Sequence, residues 1–199
     1  YFMEKPVRWL ELMSEYNGTV SGGPDFAFRL CLERIKDKQR AALDLSSWRV
    51  AFSGAEPIRH DTLNDFADKF SANGFKREAL YPCYGLAEGT LLVTGSKAGS
   101  GAKIHAFCNE ALSQGKARQV QAQDSRNNGQ YSHQVSCGVT PSQHYLRITC
   151  PTTLAELPAG EIGEIWAAGP SIAVGYWQND QATNETFVTR DNQRWLRTG

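Results

Sequence analysis

The sequence lacks an excess of charge of either sign, and it lacks any long apolar run. Its 199 residues include 21 lysines and arginines against 21 aspartates and glutamates, so the formal net charge is zero. A protein that binds nucleic acid by neutralising phosphates normally carries a basic surplus, and we therefore expect no nucleic-acid partner. No stretch approaches the roughly 20 apolar residues of a transmembrane helix, so no membrane span is expected. The composition, with 41% hydrophobic and 21% charged residues, is that of a globular domain.

Paired cysteines and two common catalytic motifs are also missing. The five cysteines are irregularly spaced and form no Cys-x-x-Cys motif, which argues against a structural zinc site. This usage favours reduced thiols and hence a cytoplasmic protein. Gly-x-Ser-x-Gly does not occur, and the glycine-rich run at residues 95–103 lacks the spacing of a phosphate-binding loop.

Helical and extended patterns alternate along the first half of the chain, which predicts an α/β layer. Helices are predicted after Pro6, after Pro24, and around residues 63–70, where apolar residues recur at helical spacing. Strands are predicted at residues 48–52 and 90–94. The apolar stripes are read as core-facing surfaces.

The second half of the chain has a different character. Residues 96–134 are rich in glutamine and poor in large aliphatic residues, which is typical of an insertion between two better-patterned regions. From Val135 onward the alternation is mostly that of strands. We therefore predict an α/β fold, with residues 1–95 in a layered sheet-and-helix subdomain, an insertion at 96–134, and residues 135–199 in a β-rich, barrel-like subdomain.

Two segments have the composition of ligand-binding loops. Residues 53–57, Ser-Gly-Ala-Glu-Pro, follow a predicted strand, and small residues there let a planar ligand approach the backbone. In residues 84–90, Tyr84 can stack on a base, Gly85 can admit an anion, and Glu88 can hold Mg²⁺. On residue types alone, an ordinary glycine-rich turn, a buried tyrosine and a helix-capping glutamate remain open alternatives.

Taken in order, four motifs resemble those of the adenylate-forming enzymes: acyl-CoA synthetases, luciferases and peptide-synthetase adenylation domains. They are Ser-Gly-Ala-Glu-Pro at residues 53–57, Tyr-Gly-Leu-Ala-Glu at 84–88, the glycine-containing stretch at 160–177, and Arg-Thr-Gly at 197–199. Four motifs in one order are far more specific than any one of them. The resemblance spans essentially the whole chain.

Within that superfamily the sequence is most similar to fatty acyl-AMP ligases. Residues 21–28, Ser-Gly-Gly-Pro-Asp-Phe-Ala-Phe, are similar to a segment of these enzymes, and Ala87 stands where many acyl-CoA synthetases have threonine. The predicted insertion lies where these ligases carry one that CoA-forming relatives lack. The resemblance implies that it hinders the domain rearrangement that CoA acylation requires.

The resemblance also implies roles for individual residues. Tyr84 would stack on one face of the adenine, and Glu88 would be the catalytic residue that binds Mg²⁺. Ser21, Gly22 and Phe26 would lie near the acyl tunnel. Gly54, Ala55 and Glu56 would line the other face of the adenine, Gly85 would let the chain pass close to the nucleotide, and Ala87 would lie beside the α-phosphate. Pro57 and Leu86 complete the nucleotide-binding positions.

The implied reaction converts a fatty acid and ATP into acyl-adenylate and pyrophosphate. In the family, the acyl group then passes to the phosphopantetheine thiol of an acyl carrier protein. The alternatives are an acyl-CoA synthetase and a non-catalytic relative that binds acyl-adenylate or a carrier. The family's phosphate loop, its ribose-binding aspartate and its catalytic lysine would lie outside this sequence, so we expect the chain to be inactive alone.

Overall fold

The structure, a computed structural model, describes residues 2–120 and 129–199 and divides into two compact units. The first unit consists of residues 2–84, 95–104 and 134–138. The second consists of the described residues among 85–94, 105–133 and 139–199. Each unit combines segments that are distant in sequence.

A parallel sheet forms the centre of the first unit. The strands β1 (Val20–Gly23), β2 (Val50–Ser53) and β3 (Leu80–Tyr84) lie side by side in that order, and the short β4 (Thr94–Gly95) follows β3. Parallel neighbours need crossover connections, and helices supply them here. The α/β fold class predicted from the sequence is confirmed.

Helices of the first unit begin close to the predicted positions. Helix α1 (Val7–Glu15) follows Pro6, and α2 (Asp25–Arg34) follows Pro24. The short helix α3 (Asp37–Arg40), which sequence patterns did not indicate, precedes β2, and α4 (His60–Ser71) joins β2 to β3. The predicted apolar stripe of α4 is buried.

Aromatic rings fill the core between α2, α4 and the sheet. Phe66 lies at the centre of this cluster, with its ring centroid 5.0 Å from that of Phe28, 4.6 Å from that of Phe70 and 5.1 Å from that of Phe75. Trp48 packs edge-on against Phe75 at 5.3 Å. Most of these contacts are T-shaped, the geometry that aromatic quadrupoles prefer.

Helix α2 is fixed at both ends by side chains that come later in the chain. At its start, the buried Asp25 carboxylate accepts hydrogen bonds from the Arg59 backbone N–H and from Thr62 Oγ1, both at 3.0 Å. At its end, Lys69 Nζ donates to the carbonyl oxygens of Leu32 at 2.5 Å and Ile35 at 2.9 Å. Burial lowers the pKa of Lys69. A cation on the last carbonyls satisfies groups that the helix itself leaves unpaired.

The second unit contains an antiparallel sheet in the order β10–β11–β9–β8. Its strands are β8 (Tyr145–Thr149), β9 (Glu164–Ala168), β10 (Phe187–Arg190) and β11 (Gln193–Arg197), and α6 (Asp180–Thr186) precedes β10. The predicted β-rich character is confirmed. The sheet is open rather than a closed barrel, because β10 and β8 are its edges.

The predicted insertion contains regular structure. A three-stranded sheet has the order β6–β5–β7, with β5 at Ile104–Cys108, β6 at Gln119–Val120 and β7 at Tyr131–Val135. The short helix α5 (Asn109–Ser113) follows β5. Residues 121–128 of the predicted insertion lie outside the described residues, and its assignment as an insertion stays a prediction.

The strand predicted at residues 90–94 is wrong for residues 90–93, and only Thr94 lies in a strand, as the first residue of β4. A 3-10 turn occupies Ala87–Gly89, and Thr90 and Leu91 both have left-handed backbone conformations, with φ of 54° and 72°. The Leu91 N–H donates to the Leu86 carbonyl at 3.1 Å, which closes the segment into a turn. The prediction rested on residue types that favour strands, and these do not show which local hydrogen bonds the backbone forms.

No helix among residues 2–120 and 129–199 has the length and apolar character needed to cross a membrane.

Replacing Lys69 with methionine tests the fixation of α2. We expect Lys69→Met to lower the free energy of unfolding by about 1–3 kcal/mol, because it removes a charged donor from the last carbonyls of the helix. Lys38→Met is the matched control, since Lys38 is exposed on α3. Chemical denaturation of the 199-residue chain would measure both variants, and equal stabilities would contradict the role assigned to Lys69.

Candidate active site

Three loops of the first unit meet at one edge of its parallel sheet. In the register of the strands, Gly23 of β1 pairs with Ser53 of β2, and Ser53 pairs with Pro82 of β3. The carboxyl ends of β1, β2 and β3 therefore lie together. Open α/β sheets bind ligands at this edge. The structure thus brings together residues 21–26, the loop 54–57 and Tyr84, which the sequence analysis had selected separately.

The loop after β2 is built from small residues because the backbone of β3 lies against it. A Cβ atom at Gly54 would lie 2.9 Å from the Cys83 carbonyl oxygen, too close for a side chain. Ala55 has a left-handed backbone with φ of 68°, which costs a non-glycine residue of order 1 kcal/mol. Such strain clusters at functional sites.

The Glu56 side chain has a partner that sequence reasoning missed. Its Oε1 accepts a hydrogen bond of 2.6 Å from the backbone N–H of Phe26, in the first turn of α2. Pro24 is the N-cap of that helix and offers no side-chain acceptor. The sequence did contain one indication of this bond. Because proline cannot cap the helix with its side chain, a backbone N–H of the first turn needs an acceptor from another part of the chain. The carboxylate joins the loop after β2 to the helix after β1.

An open, mostly apolar groove of about 400 Å³ lies between α1, β1 and α2. Gly22 and Phe26 line it, as does Trp9. Ser21 does not line the groove, but its Oγ accepts a hydrogen bond of 2.9 Å from Trp9 Nε1 and so fixes the indole in the wall. The remaining lining residues are Phe2, Arg8, Leu12, Gly23, Pro24 and Ala27.

Residues 85–91 fold tightly within the second unit. A Cβ atom at Gly85 would lie 1.4 Å from the Leu91 carbonyl oxygen, so only glycine fits there. Leu86 and Ala87 follow it, and the 3-10 turn then presents Glu88. The sequence analysis assigned Gly85 to the close approach of a nucleotide. In the structure, the missing side chain makes room for the backbone carbonyl of Leu91.

The Glu88 carboxylate is held by a tyrosine. Tyr176 Oη–H donates to Glu88 Oε1 at 2.5 Å, and the backbone N–H of Ala173 donates to the Glu88 carbonyl at 2.8 Å. The hydrogen bond from Tyr176 lowers the pKa of Glu88 below its ordinary value, so the carboxylate stays charged to a lower pH than a glutamate without this partner. The same bond raises the pKa of Tyr176.

Glu88 fits a magnesium ion that arrives with a polyphosphate. Mg²⁺ prefers oxygen ligands, and it is usually bound through one or two carboxylates together with substrate phosphates. In the part of the chain that the structure describes, no group of three or more His, Cys, Asp or Glu side chains could hold a metal ion. A single ionised carboxylate suits the shared arrangement better than a metal held by protein ligands alone.

Two other predicted motifs meet at the end of the open sheet. Glu164 begins β9, and its carboxylate pairs with Arg197 Nη2 at 3.2 Å and accepts from the Gly199 N–H at 3.3 Å. Thr198 Oγ1 donates to the Ile165 carbonyl at 2.9 Å. These bonds explain why glutamate in the 160–177 motif accompanies the Arg-Thr-Gly segment.

Comparison with known proteins places these features in a family. The model of the AMP-binding enzyme family matches residues 2–177. The medium-chain-fatty-acid–[acyl-carrier-protein] ligase JamA of Moorena producens is 44% identical over 186 residues, which are 94% of this chain and 31% of the relative. The corresponding ligase TtuA of Teredinibacter turnerae is 38% identical, over 94% of this chain and 28% of the relative.

Solved structures give the same result. The fatty acid AMP ligase from Legionella pneumophila superposes with a TM-score of 0.90 at 39% identity, covering all of this chain (100%) and 34% of that one. A structure of the L. pneumophila fatty acyl-adenylate ligase in complex with acyl adenylate and pyrophosphate matches equally well, with a TM-score of 0.90. The chain spans about a third of the length of these relatives. Since the family model matches most of the sequence, and the fold agrees with it, the chain belongs to the AMP-binding enzyme family.

Proposed function

We propose that this chain is part of a fatty acyl-AMP ligase, which activates a fatty acid with ATP to acyl-adenylate and pyrophosphate and passes the acyl group to an acyl carrier protein. The observation that carries the proposal is the apolar groove beside the loops at the carboxyl edge of the parallel sheet. A reaction between a fatty acid and ATP needs an apolar surface for the acyl chain next to a surface that can bind the nucleotide. Two similar proteins are named medium-chain-fatty-acid–[acyl-carrier-protein] ligases, which supports this substrate and this partner.

In this proposal, the nucleotide contacts the two small-residue segments. Gly54, Ala55, Glu56 and Pro57 lie against one face of the adenine, and the Tyr84 ring stacks on the other. Gly85, Leu86 and Ala87 lie beside the phosphates. The Glu56 backbone, rather than its side chain, faces the base, because Phe26 N–H already engages the carboxylate.

The acyl chain is proposed to occupy the groove, next to Ser21, Gly22 and Phe26. Apolar walls remove the chain from water, which favours binding by roughly 0.8 kcal/mol for each buried CH₂ group. The carboxylate end then attacks the α-phosphorus of ATP. The new bond joins the carboxylate oxygen to that phosphorus, and the bond to the departing pyrophosphate breaks.

Glu88 is the proposed ligand for Mg²⁺. The ion would offset the phosphate charge as the carboxylate attacks. The contribution of the protein is to keep the Glu88 carboxylate ionised and fixed, through Tyr176 and the Ala173 N–H. We further propose a cytoplasmic location, which the free state of all five cysteines in the structure supports.

Product analysis tests the proposed reaction. The full reading frame that encodes this chain should convert ATP, Mg²⁺ and a medium-chain fatty acid to acyl-AMP that accumulates whether or not CoA is present. Conversion to acyl-CoA would instead identify an acyl-CoA synthetase, and absence of any adenylate would identify a binding-only relative. The 199-residue chain alone should give none, and a single turnover by it would contradict that expectation.

Deletion of residues 97–134 from the full enzyme tests the role proposed for the insertion. We expect acyl-CoA output to rise, because the insertion is proposed to hinder the rearrangement that CoA acylation requires. Acyl-AMP formation in the same sample shows whether the deleted enzyme still folds. Retained acyl-AMP formation without any gain in acyl-CoA would count against the role.

The Tyr176→Phe variant tests how Glu88 is kept ionised. In the wild type, the Tyr176 hydrogen bond lowers the pKa of Glu88, so Mg²⁺-dependent activity should persist until the pH falls through that lowered value. Without the hydroxyl, Glu88 should become protonated at a higher pH, and the acid limb of the pH–rate profile should shift upward. Tyr145→Phe is the matched control, since Tyr145 is exposed on β8. Superimposable profiles for both variants would refute this assignment.

A further inference from the structure

Glu88 is held by a segment that comes much later in the chain, and this segment has an anchor of its own. Residues 169–176, here called the strap, run from the end of β9 to Tyr176. Three strap groups bond to residues 88–90: the Ala173 N–H donates to the Glu88 carbonyl at 2.8 Å, the Ser171 carbonyl accepts from Thr90 Oγ1 at 2.6 Å, and Tyr176 Oη–H donates to the Glu88 carboxylate at 2.5 Å. The position of Glu88 therefore depends on the position of the strap.

A histidine next to β8 anchors the start of the strap. His144 Nδ1 lies 2.9 Å from the Ser142 carbonyl oxygen, and His144 Nε2 lies 2.8 Å from Ser171 Oγ. A carbonyl oxygen can only accept, so Nδ1 carries the proton and donates it. In the neutral ring Nε2 is then an acceptor, and the Ser171 hydroxyl donates to it. The bond is therefore directional and fixes the Ser171 side chain.

The backbone at each end of the strap is shaped around its anchor. Gly169 has φ of 147°, and a Cβ atom there would lie 2.5 Å from His144 Cδ2, so the absence of a side chain makes room for the imidazole. At the other end, a Cβ at Gly175 would lie 2.6 Å from Thr183 Cγ2, and Thr183 Oγ1 accepts from the Tyr176 N–H at 2.9 Å. The strap is thus held at both ends by side chains outside it.

The segment that the strap holds is itself strained. Thr90 and Leu91 are consecutive non-glycine residues in left-handed conformations, with φ of 54° and 72°. Each costs of order 1–3 kcal/mol and persists only where the surrounding structure enforces it. The Thr90 hydroxyl contributes to that enforcement through its bond to the Ser171 carbonyl. Loosening Ser171 should therefore release the turn that presents Glu88.

From these contacts we infer that His144 and Ser171 are positioning residues for Glu88: their hydrogen bond fixes the strap, and the strap fixes the carboxylate. Their contacts are with the strap and the loop before β8, so they are not among the residues proposed to contact the nucleotide or the acyl chain. The effect on Mg²⁺ rests on the proposed function, whereas the effect on the order of residues 86–91 does not.

Hydrogen exchange tests the positioning role directly in the full enzyme. We expect amides in a peptide covering residues 86–91 to exchange about fivefold faster in His144→Ala and in Ser171→Ala, because each variant removes one directional hydrogen bond. His144→Gln should restore slow exchange, since its amide oxygen can accept from Ser171. The matched control is His105→Ala, which removes a histidine of β5 that bonds Gln119 and should leave residues 86–91 unchanged.

Activity measurements link the same variants to Mg²⁺. His144→Ala and Ser171→Ala should raise the Mg²⁺ concentration for half-maximal acyl-AMP formation about fivefold, with little change in kcat at saturating Mg²⁺. The double variant should resemble either single variant, because both remove the same bond. A lowered kcat with an unchanged Mg²⁺ requirement would contradict positioning of Glu88.

The two ideas fail in different ways. If the wild-type enzyme forms no acyl-AMP, the proposed function fails, and hydrogen exchange still decides whether His144 holds Glu88. If the wild type is active but exchange at residues 86–91 is the same in all variants, the positioning role is wrong. Should His144→Ala not fold, Ser171→Ala carries the test, since it removes only a hydroxyl group.

Discussion

The register of three parallel strands is the constraint on which the first unit depends. Pairing of Gly23 with Ser53, and of Ser53 with Pro82, brings three strand ends to one edge of the sheet. The approach of the backbones there is so close that a Cβ at Gly22 would lie 2.0 Å from the Phe52 carbonyl oxygen. A slip by one residue would turn each strand's side chains to the opposite face. The loops and the groove therefore owe their proximity to strand pairing, not to contacts among themselves.

Electrostatic bonds then connect what the strands bring together. The Glu56 carboxylate reaches the first turn of α2, and Asp25 in that turn reaches the start of α4. Each acceptor serves N–H groups that a helix start leaves unpaired. In the second unit the Glu88 carboxylate likewise accepts a hydrogen bond, here from the Tyr176 hydroxyl. Glu56, Asp25 and Glu88 are thus each held by directed hydrogen bonds of 2.5–3.0 Å.

Much of the layered half was predictable because its signals are local. The apolar spacing of α4 shows which residues face the core, and Pro6 and Pro24 mark helix starts within one residue. The candidate ligand loops were selected from residue types at strand ends and from the order of four motifs. Such signals need only a few neighbouring residues, so a single sequence contains them.

The features that were missed depend on partners far away in the sequence. Glu56 and Phe26 are 30 residues apart, and Glu88 and Tyr176 are 88 apart, so no local pattern reveals either bond. The segment at 90–94 reads as a strand because its residues favour extended structure, but bonds to Leu86 and Ser171 impose left-handed turns. The hydrogen bond between His144 and Ser171 could not be predicted either, because the two residues are 27 positions apart.

The fixation of α2 at both ends affects which acyl chains the groove could accept. One wall of the groove belongs to a helix whose first and last turns are anchored by Asp25 and Lys69, so moving that wall outward to admit a bulkier ligand would break these hydrogen bonds. The conformational entropy of that wall is lost when the chain folds, so ligand binding does not have to order it. Discrimination between linear and branched acyl chains would then depend on how well each chain fits the existing shape of the groove.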